Sequence, residues 1–115
     1  MLAGMAMMRT FVCTACRKYV ETWDEGNPYY LDLQGRKRYA YHPDHDARAR
    51  CIGNDSPHLC LACGHAFLID SRAPIDACPR CESKEIAHTQ QLEGRTCPWC
   101  KKGTFAIDPT RVAIS

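Results

Sequence analysis

Short apolar and aromatic runs separated by turn residues dominate the chain, and no long stretch has the three-to-four-residue repeat of an amphipathic helix. Residues 29–33 and 37–41 flank a turn at Gly35 and predict a β-hairpin rich in tyrosine. Residues 42–58 are polar and predict a long irregular loop, with one helical turn over residues 44–50. The expected fold class is therefore small and mostly β, with long irregular loops and little helix.

Eight of the nine cysteines form four pairs in which two residues separate the cysteines. Cysteines spaced in this way can turn both sulfurs toward one point and supply half of a tetrahedral metal site. Four pairs therefore predict two four-sulfur sites, and Cys51 is left over. The pairs are Cys13/Cys16, Cys60/Cys63, Cys78/Cys81 and Cys97/Cys100.

Metal binding would compensate for a hydrophobic core that is small even for 115 residues. Structural zinc contributes about 10–16 kcal/mol of apparent binding free energy per site, as much as the whole stability of an ordinary domain, about 5–15 kcal/mol. The odd cysteine count and the metal-ligand spacing argue against a secreted disulfide scaffold, so we expect a reducing, cytoplasmic setting.

The N-terminal residues 1–8 are apolar, but they lack the basic segment of a signal peptide and are short for its apolar core. We expect a disordered tail there, with either Met1 or Met8 as the start. No run is long enough to cross a membrane, so no membrane contact is expected.

The spacing of the pairs and the residues around them favour one division of the cysteines between the two sites. Fourteen residues separate Cys63 from Cys78, a length that suits a local ribbon in which Gly64 takes a positive φ and Phe67 packs on the turn. The predicted first site is Cys60, Cys63, Cys78 and Cys81, and by elimination the second site is Cys13, Cys16, Cys97 and Cys100. The competing division joins Cys78/Cys81 to Cys97/Cys100 and Cys13/Cys16 to Cys60/Cys63.

These turns resemble the knuckles of zinc-ribbon proteins of the rubredoxin-like type. The resemblance rests on Cys-x-x-Cys-Gly at residues 60–64, Cys-Pro-x-Cys at 78–81 and Cys-Pro-x-Cys-Lys-Lys-Gly at 97–103. It implies small β-hairpin units of the kind found in transcription, translation and nucleic-acid enzymes, or as structural inserts in larger assemblies. The sequence departs from the pattern at Arg17 and Glu82, where such knuckles often have glycine.

The expected organisation is one domain over residues 9–115. An inner ribbon at 59–86 lies between terminal knuckles at 9–23 and 94–107, and residues 24–58 form a hairpin and loop insertion. The expected cofactors are two Zn²⁺ ions; iron is the less favoured metal, because a four-sulfur site also binds iron.

The formal net charge of +2 gives no argument for binding a polyanion. Eight thiolates and two Zn²⁺ ions would together change it to about −2. Local clusters of basic and aromatic residues can still bind nucleic acid or a protein partner. The candidate contacts are Arg36, Lys37, Arg38, Tyr39, Tyr41, Lys101 and Lys102.

The favoured function is a non-enzymatic zinc-binding interaction module, an adaptor or accessory subunit that docks on a larger protein assembly and also contacts nucleic acid. Closed four-sulfur sites leave no open metal position for catalysis, and no nucleophile motif or phosphate-binding loop is present. One alternative is a rubredoxin-type iron electron carrier. Another is a metal-bearing enzyme or enzyme subunit that uses His42, His45, Cys51 and His58. The sequence does not indicate the oligomeric state.

Overall fold

Two antiparallel β-sheets make up the fold of the protein in a computed structural model, which describes residues 7–24, 26–40 and 45–114. The strands are β1 (Met7–Cys13), β2 (Tyr19–Trp23), β3 (Pro28–Leu31), β4 (Lys37–Tyr39), β5 (Gly53–Cys60), β6 (Ala66–Asp70), β7 (Ile86–His88), β8 (Phe105–Ile107) and β9 (Ala113–Ile114). The helical segments are α1 (His45–Ala49) and a 3₁₀ turn (Thr89–Gln91). The predicted mostly β fold class with little helix is confirmed.

The first sheet, here called the terminal sheet, brings the two ends of the described chain together. Its central strand β1 pairs with β2 and also with β8 and β9, whose paired residues lie 92–107 positions further along the chain. β1 begins at Met7, so two residues of the predicted N-terminal tail belong to this strand. Residues 1–6 of that predicted tail lie outside the described residues.

The second sheet, here called the inner sheet, has the order β4-β3-β5-β6, with β7 also paired to β5. β3 and β4 form the predicted tyrosine-rich hairpin, which extends this sheet instead of standing apart from it. The inner sheet therefore combines the predicted ribbon with the hairpin of the predicted insertion.

The prediction of an irregular loop up to residue 58 was wrong for its last six residues, because β5 begins at Gly53 and is the central strand of the inner sheet. The backbone N–H of Asp55 points toward the β3 side and that of Cys60 toward β6. Because N–H directions alternate along a strand, the nitrogen of Pro57 points to the same side of β5 as that of Asp55. On that side, Pro57 lies in the gap between β3 and β7. A proline there costs no ladder hydrogen bond. The helical turn expected over residues 44–50 is present as α1.

The hydrophobic core lies between the two sheets and includes residues from both. It consists of Phe11, Cys13, Leu59, Leu61, Ala87, Leu92, Cys97 and Phe105. A buried hydrogen bond of 2.6 Å between the hydroxyls of Thr22 and Thr89 also links β2 to the 3₁₀ turn. Within the described ranges, no helix is both long and apolar enough to cross a membrane.

Candidate metal centres

The fold gathers the eight paired cysteines into two sets of four, in the predicted combination: the first pair along the chain joins the fourth, and the second joins the third. In each set, the sulfurs all lie within 4.8 Å of one another. We call Cys13, Cys16, Cys97 and Cys100 the terminal site, and Cys60, Cys63, Cys78 and Cys81 the inner site. The competing division of the cysteines is not the one that the structure forms.

The sulfur separations fit a tetrahedral metal. The Cys13–Cys100 and Cys16–Cys97 sulfurs of the terminal site are 3.6 and 3.7 Å apart, and the Cys60–Cys81 and Cys63–Cys78 sulfurs of the inner site are 3.5 and 3.8 Å apart. A tetrahedral ion with metal–sulfur distances of about 2.3 Å separates its ligands by about 3.8 Å. A disulfide needs about 2.05 Å, so the geometry suits a metal ion.

All four cysteine pairs adopt the same backbone turn. In each, the N–H of the residue after the second cysteine donates to the carbonyl of the first cysteine, at 2.9–3.1 Å. That residue has a positive φ every time: it is Arg17, Gly64, Glu82 or Lys101, at 61–82°. The turn therefore forms at Arg17 and Glu82 although glycine is absent there. Lys101 is a third such position that the sequence analysis did not single out.

Backbone N–H groups inside these turns point at the sulfurs. Those of Ala15 and Cys16 both lie 3.4 Å from the sulfur of Cys13, and that of Cys63 lies 3.4 Å from the sulfur of Cys60. Hydrogen bonds of this kind stabilise the thiolate form that binds metal.

Within the terminal site, the pKa values of the Cys100 and Cys97 thiols are shifted in opposite directions. The N–H groups of Gly103 and Lys102 lower the pKa of Cys100 to about 6. Burial, together with the neighbouring sulfurs of Cys16 and Cys13, raises the pKa of Cys97 to about 11. Four sulfurs this close cannot all ionise unless a cation lies between them, and a divalent metal supplies that charge.

The first cysteine of every pair is buried: Cys13, Cys60, Cys78 and Cys97. Four sulfurs would complete the tetrahedral shell of a bound metal, so neither site would have an open coordination position. A metal bound there would hold the two turns of each site together. Within the part of the chain that the structure describes, these are the two groups of His, Cys, Asp or Glu placed to hold a metal.

The two sites are linked by direct contacts between their turns. A Cβ added at Gly64 of the inner site would lie 2.6 Å from Nε1 of Trp99, which belongs to a terminal-site turn. The ammonium of Lys101 donates to the carbonyls of Leu61 at 3.3 Å and Ala62 at 2.5 Å. The terminal-site turn at 97–101 thus packs on the inner-site turn at 60–64.

The residues proposed for a third metal site have other contacts where they are described. The thiol of Cys51 donates to the carbonyl of Ala47 at 3.5 Å. The ring of His58 lies near the rings of Phe67 and His88, at centroid distances of 6.0 and 5.1 Å. His42 and the side chain of His45 lie outside the described residues.

The candidate contact residues of the hairpin bind carboxylates of the chain itself. The ammonium of Lys37 lies 3.0 Å from Asp55 and 2.9 Å from Asp70, and the hydroxyl of Tyr39 donates to Asp55 at 2.6 Å. Hydrogen bonds from Tyr29 and Lys37 lower the pKa of Asp70 to about 2. This network, with Tyr29 and two aspartates, joins the hairpin to the ribbon and was not predicted.

The two arginines of the hairpin share one partner. Nε of Arg38 lies 2.9 Å from Asp32, and Nε of Arg36 lies 3.6 Å from the same carboxylate. Of the other candidates, Lys102 is exposed and Lys101 binds the carbonyls described above. Tyr41 lies outside the described residues.

A surface cleft of about 450 Å³ that lies beside the terminal site was also not predicted from the sequence. Its lining residues are Cys16, Arg17, Lys18, Tyr19 and Trp99. The sequence signal was present, since two cations follow Cys16 directly and a tryptophan lies inside the fourth cysteine pair.

Comparison with models of protein families, with curated proteins and with solved structures found no match for this chain. What the protein does is therefore inferred from two four-cysteine clusters that fit zinc-ribbon-like metal sites in a mostly β fold.

Proposed function

We propose that the chain is a non-enzymatic zinc-binding interaction module of the zinc-ribbon type, whose two metals hold a β scaffold that docks on a protein partner. The observation that carries the proposal is the closed four-sulfur shell of each site. A shell without an open position acts on structure, and zinc is the redox-inert ion that suits it.

The position of the sites supports a structural role. The terminal site joins turns from opposite ends of the described chain, which meet at one end of the terminal sheet, and its buried Cys13 and Cys97 belong to the core cluster that both sheets share. Two of the eight residues in that cluster are thus metal ligands. Loss of the metal would leave thiols at the centre of a core too small to hold the fold alone.

Removing the metal tests this role. We expect chelation to abolish the folded far-UV circular dichroism spectrum and the dispersion of the amide NMR signals, and added Zn²⁺ to restore both. Persistence of both signals after complete metal removal would refute the structural role. A red protein with a visible charge-transfer band would instead identify the iron electron carrier.

The tip of the hairpin is the proposed docking surface for the protein partner. Leu33 is fully exposed, and Leu31 and Ile52 are about half exposed. With Tyr30, Asp32 and Arg50 they line a cleft of about 410 Å³. Exposed apolar side chains grouped in this way are typical of protein interaction sites. The expected occupant presents an apolar side chain to the leucines and a carboxylate to Arg50.

A charge placed in this cleft tests the docking surface. We expect Leu33→Asp to abolish co-purification of the partner from a native extract while leaving two metals bound per chain. Leu68→Asp is the matched control, because Leu68 is half exposed on β6 and lines no part of the cleft. Equal recovery of the same partner by both variants would exclude the hairpin tip.

A further inference from the structure

The cleft beside the terminal site combines exposed aromatic rings with cations. Tyr19 is 52% exposed and Trp99 is 36% exposed. Arg17 and Lys18 line the same cleft. The cleft therefore offers flat apolar surfaces and positive charge at the same place.

A positive charge lies over each of the two rings. The ammonium of Lys18 is 5.3 Å from the centroid of Trp99, and the guanidinium carbon of Arg111 is 4.8 Å from that of Tyr19. A nucleotide has matching parts, since its base stacks on an aromatic ring and its phosphate pairs with a nearby cation.

The charge around the cleft remains positive after the metal site is counted. Arg17, Lys18, Lys101 and Lys102 all lie within two residues of Cys16 or Cys100. These four cations outnumber the two negative charges that four thiolates and one divalent metal leave. Asp108 pairs with Arg111 at 3.6 Å, and Glu21 lies exposed two residues beyond Tyr19.

We infer that this cleft binds single-stranded nucleic acid, with Tyr19 and Trp99 stacking on successive bases and Arg17, Lys18 and Lys102 holding the phosphates. The inference rests on the proposed function, because the terminal metal site positions both turns that form the cleft.

Single strands are favoured over duplexes because stacking on a protein ring needs an unpaired base. Among the described residues, the elements around the cleft are turns and an edge strand, and none is a helix that could enter a major groove. A protein partner would need a dehydrated apolar centre, whereas cations lie over the rings of this cleft.

Fluorescence anisotropy with the zinc-loaded full chain tests the inference, using short labelled oligo(dT) and oligo(rU) and a DNA duplex of equal length. We expect both single strands to bind more tightly than the duplex. The affinity should fall with salt, as expected when phosphate contacts release counterions. Failure of the two-zinc chain to bind either single strand, or tighter binding of the duplex, would overturn the inference and leave the proposed function standing.

The double variant Lys18→Gln/Lys102→Gln tests the phosphate contacts. Its logarithmic salt slope should be smaller by about 1.4, because each phosphate contact on a single strand contributes about 0.7. Arg80→Gln/Lys84→Gln is the matched control, since it removes two exposed cations beside the inner site. An equal change of slope in both double variants would overturn the assignment of the cleft.

The stacking step has its own readout. In Trp23→Phe, Trp99 is the remaining tryptophan, and oligo(dT) should quench its emission. Tyr19→Ala should weaken binding about tenfold, the loss expected for one stacked base. Both variants should retain two zinc ions per chain, so that a loss of affinity reports on the cleft and not on the metal site. Unchanged emission and unchanged affinity would overturn the stacking role.

Discussion

At the scale of single residues, Arg17, Glu82 and Lys101 are notable because their φ angles of 61–69° lie where glycine is favoured. An L residue there costs about 1–2 kcal/mol. Lys101 gains two hydrogen bonds to backbone carbonyls in return, and Arg17 lines the cleft. The side chain of Glu82 is exposed, so its position offers the clearest relief of strain.

We expect Glu82→Gly to raise the free energy of unfolding by about 0.5–1 kcal/mol, because relief of the positive φ exceeds the extra backbone entropy of glycine. Denaturant unfolding at a fixed concentration of free zinc measures the change. Lys101→Gly is the contrasting variant, since it relieves the same strain but loses both carbonyl contacts and should not stabilise. A stability gain of the same size in both would contradict the role given to Lys101.

His88 is a second residue whose environment has a measurable consequence. Its Nδ1 accepts a hydrogen bond from the N–H of Gln90 at 3.0 Å. Burial, and then the nearby charge of His58, lower the pKa of His88 from its usual value of 6.5. The folded state therefore takes up this proton less readily than the unfolded chain, and stability falls as the pH drops below about 6.5.

We expect the loss of stability between pH 7.5 and 5.5 to be smaller in His88→Asn than in the natural chain. Asparagine keeps an acceptor for Gln90 but does not titrate. Thermal unfolding across this pH range, at a constant excess of zinc, measures the difference. Parallel curves for both proteins would show that His88 does not contribute.

At the scale of elements, a charge network adds to the pairing of β3 with β5 in holding the β3–β4 hairpin to the rest of the inner sheet. Lys37 on β4 contacts Asp55 on β5 and Asp70 on β6, and it lies 4.5 Å from the ring centroid of Tyr29. The side chain of Asp55 is only 5% exposed. Without Lys37, a buried carboxylate would lose its cation, which is a costly arrangement.

We expect Lys37→Met to lower the midpoint of thermal unfolding by at least about 5 °C. Arg36→Met is the control: it removes a neighbouring cation whose side chain is 67% exposed, and exposed pairs contribute little. If the two variants shift the midpoint equally, the charge network does not hold the hairpin.

Some of these elements could be predicted from the sequence, and β5 could not. The knuckles were predictable because their spacing is local, and the tyrosine hairpin because its turn is short. β5 was not, because Asp55 and Pro57 suggest a loop when they are read alone. Asp55 becomes acceptable in a central strand through Lys37 and Tyr39, eighteen and sixteen residues away, and Pro57 through a gap between two partner strands. Contacts of that range leave no local pattern.

At the scale of the whole molecule, the two metal sites form one connected unit. The turn at 60–64 packs against the turn at 97–101 through Gly64, Trp99 and Lys101. Disturbance of one turn should therefore weaken the metal site on the other. The sequence predicted the division of the cysteines but not this contact, because the contact depends on how the two ribbons pack.

Gly64→Ala tests the connection. The added Cβ would meet Trp99 at 2.6 Å, and we expect zinc to leave the terminal site faster in competition with a chromogenic chelator, by about fivefold or more. Gly35→Ala is the matched control, because Gly35 has a similar φ of 79° and open space around it. Faster release from the inner site alone would show that the two sites act independently.

Native mass spectrometry of the full chain tests the central claim most directly. We predict two zinc ions per chain, and one in Cys13→Ser/Cys97→Ser, because both substitutions fall in the terminal site. The competing division of the cysteines would place one substitution in each site and impair both. A natural chain without two bound zinc ions, or a double variant that still binds two, would contradict the account.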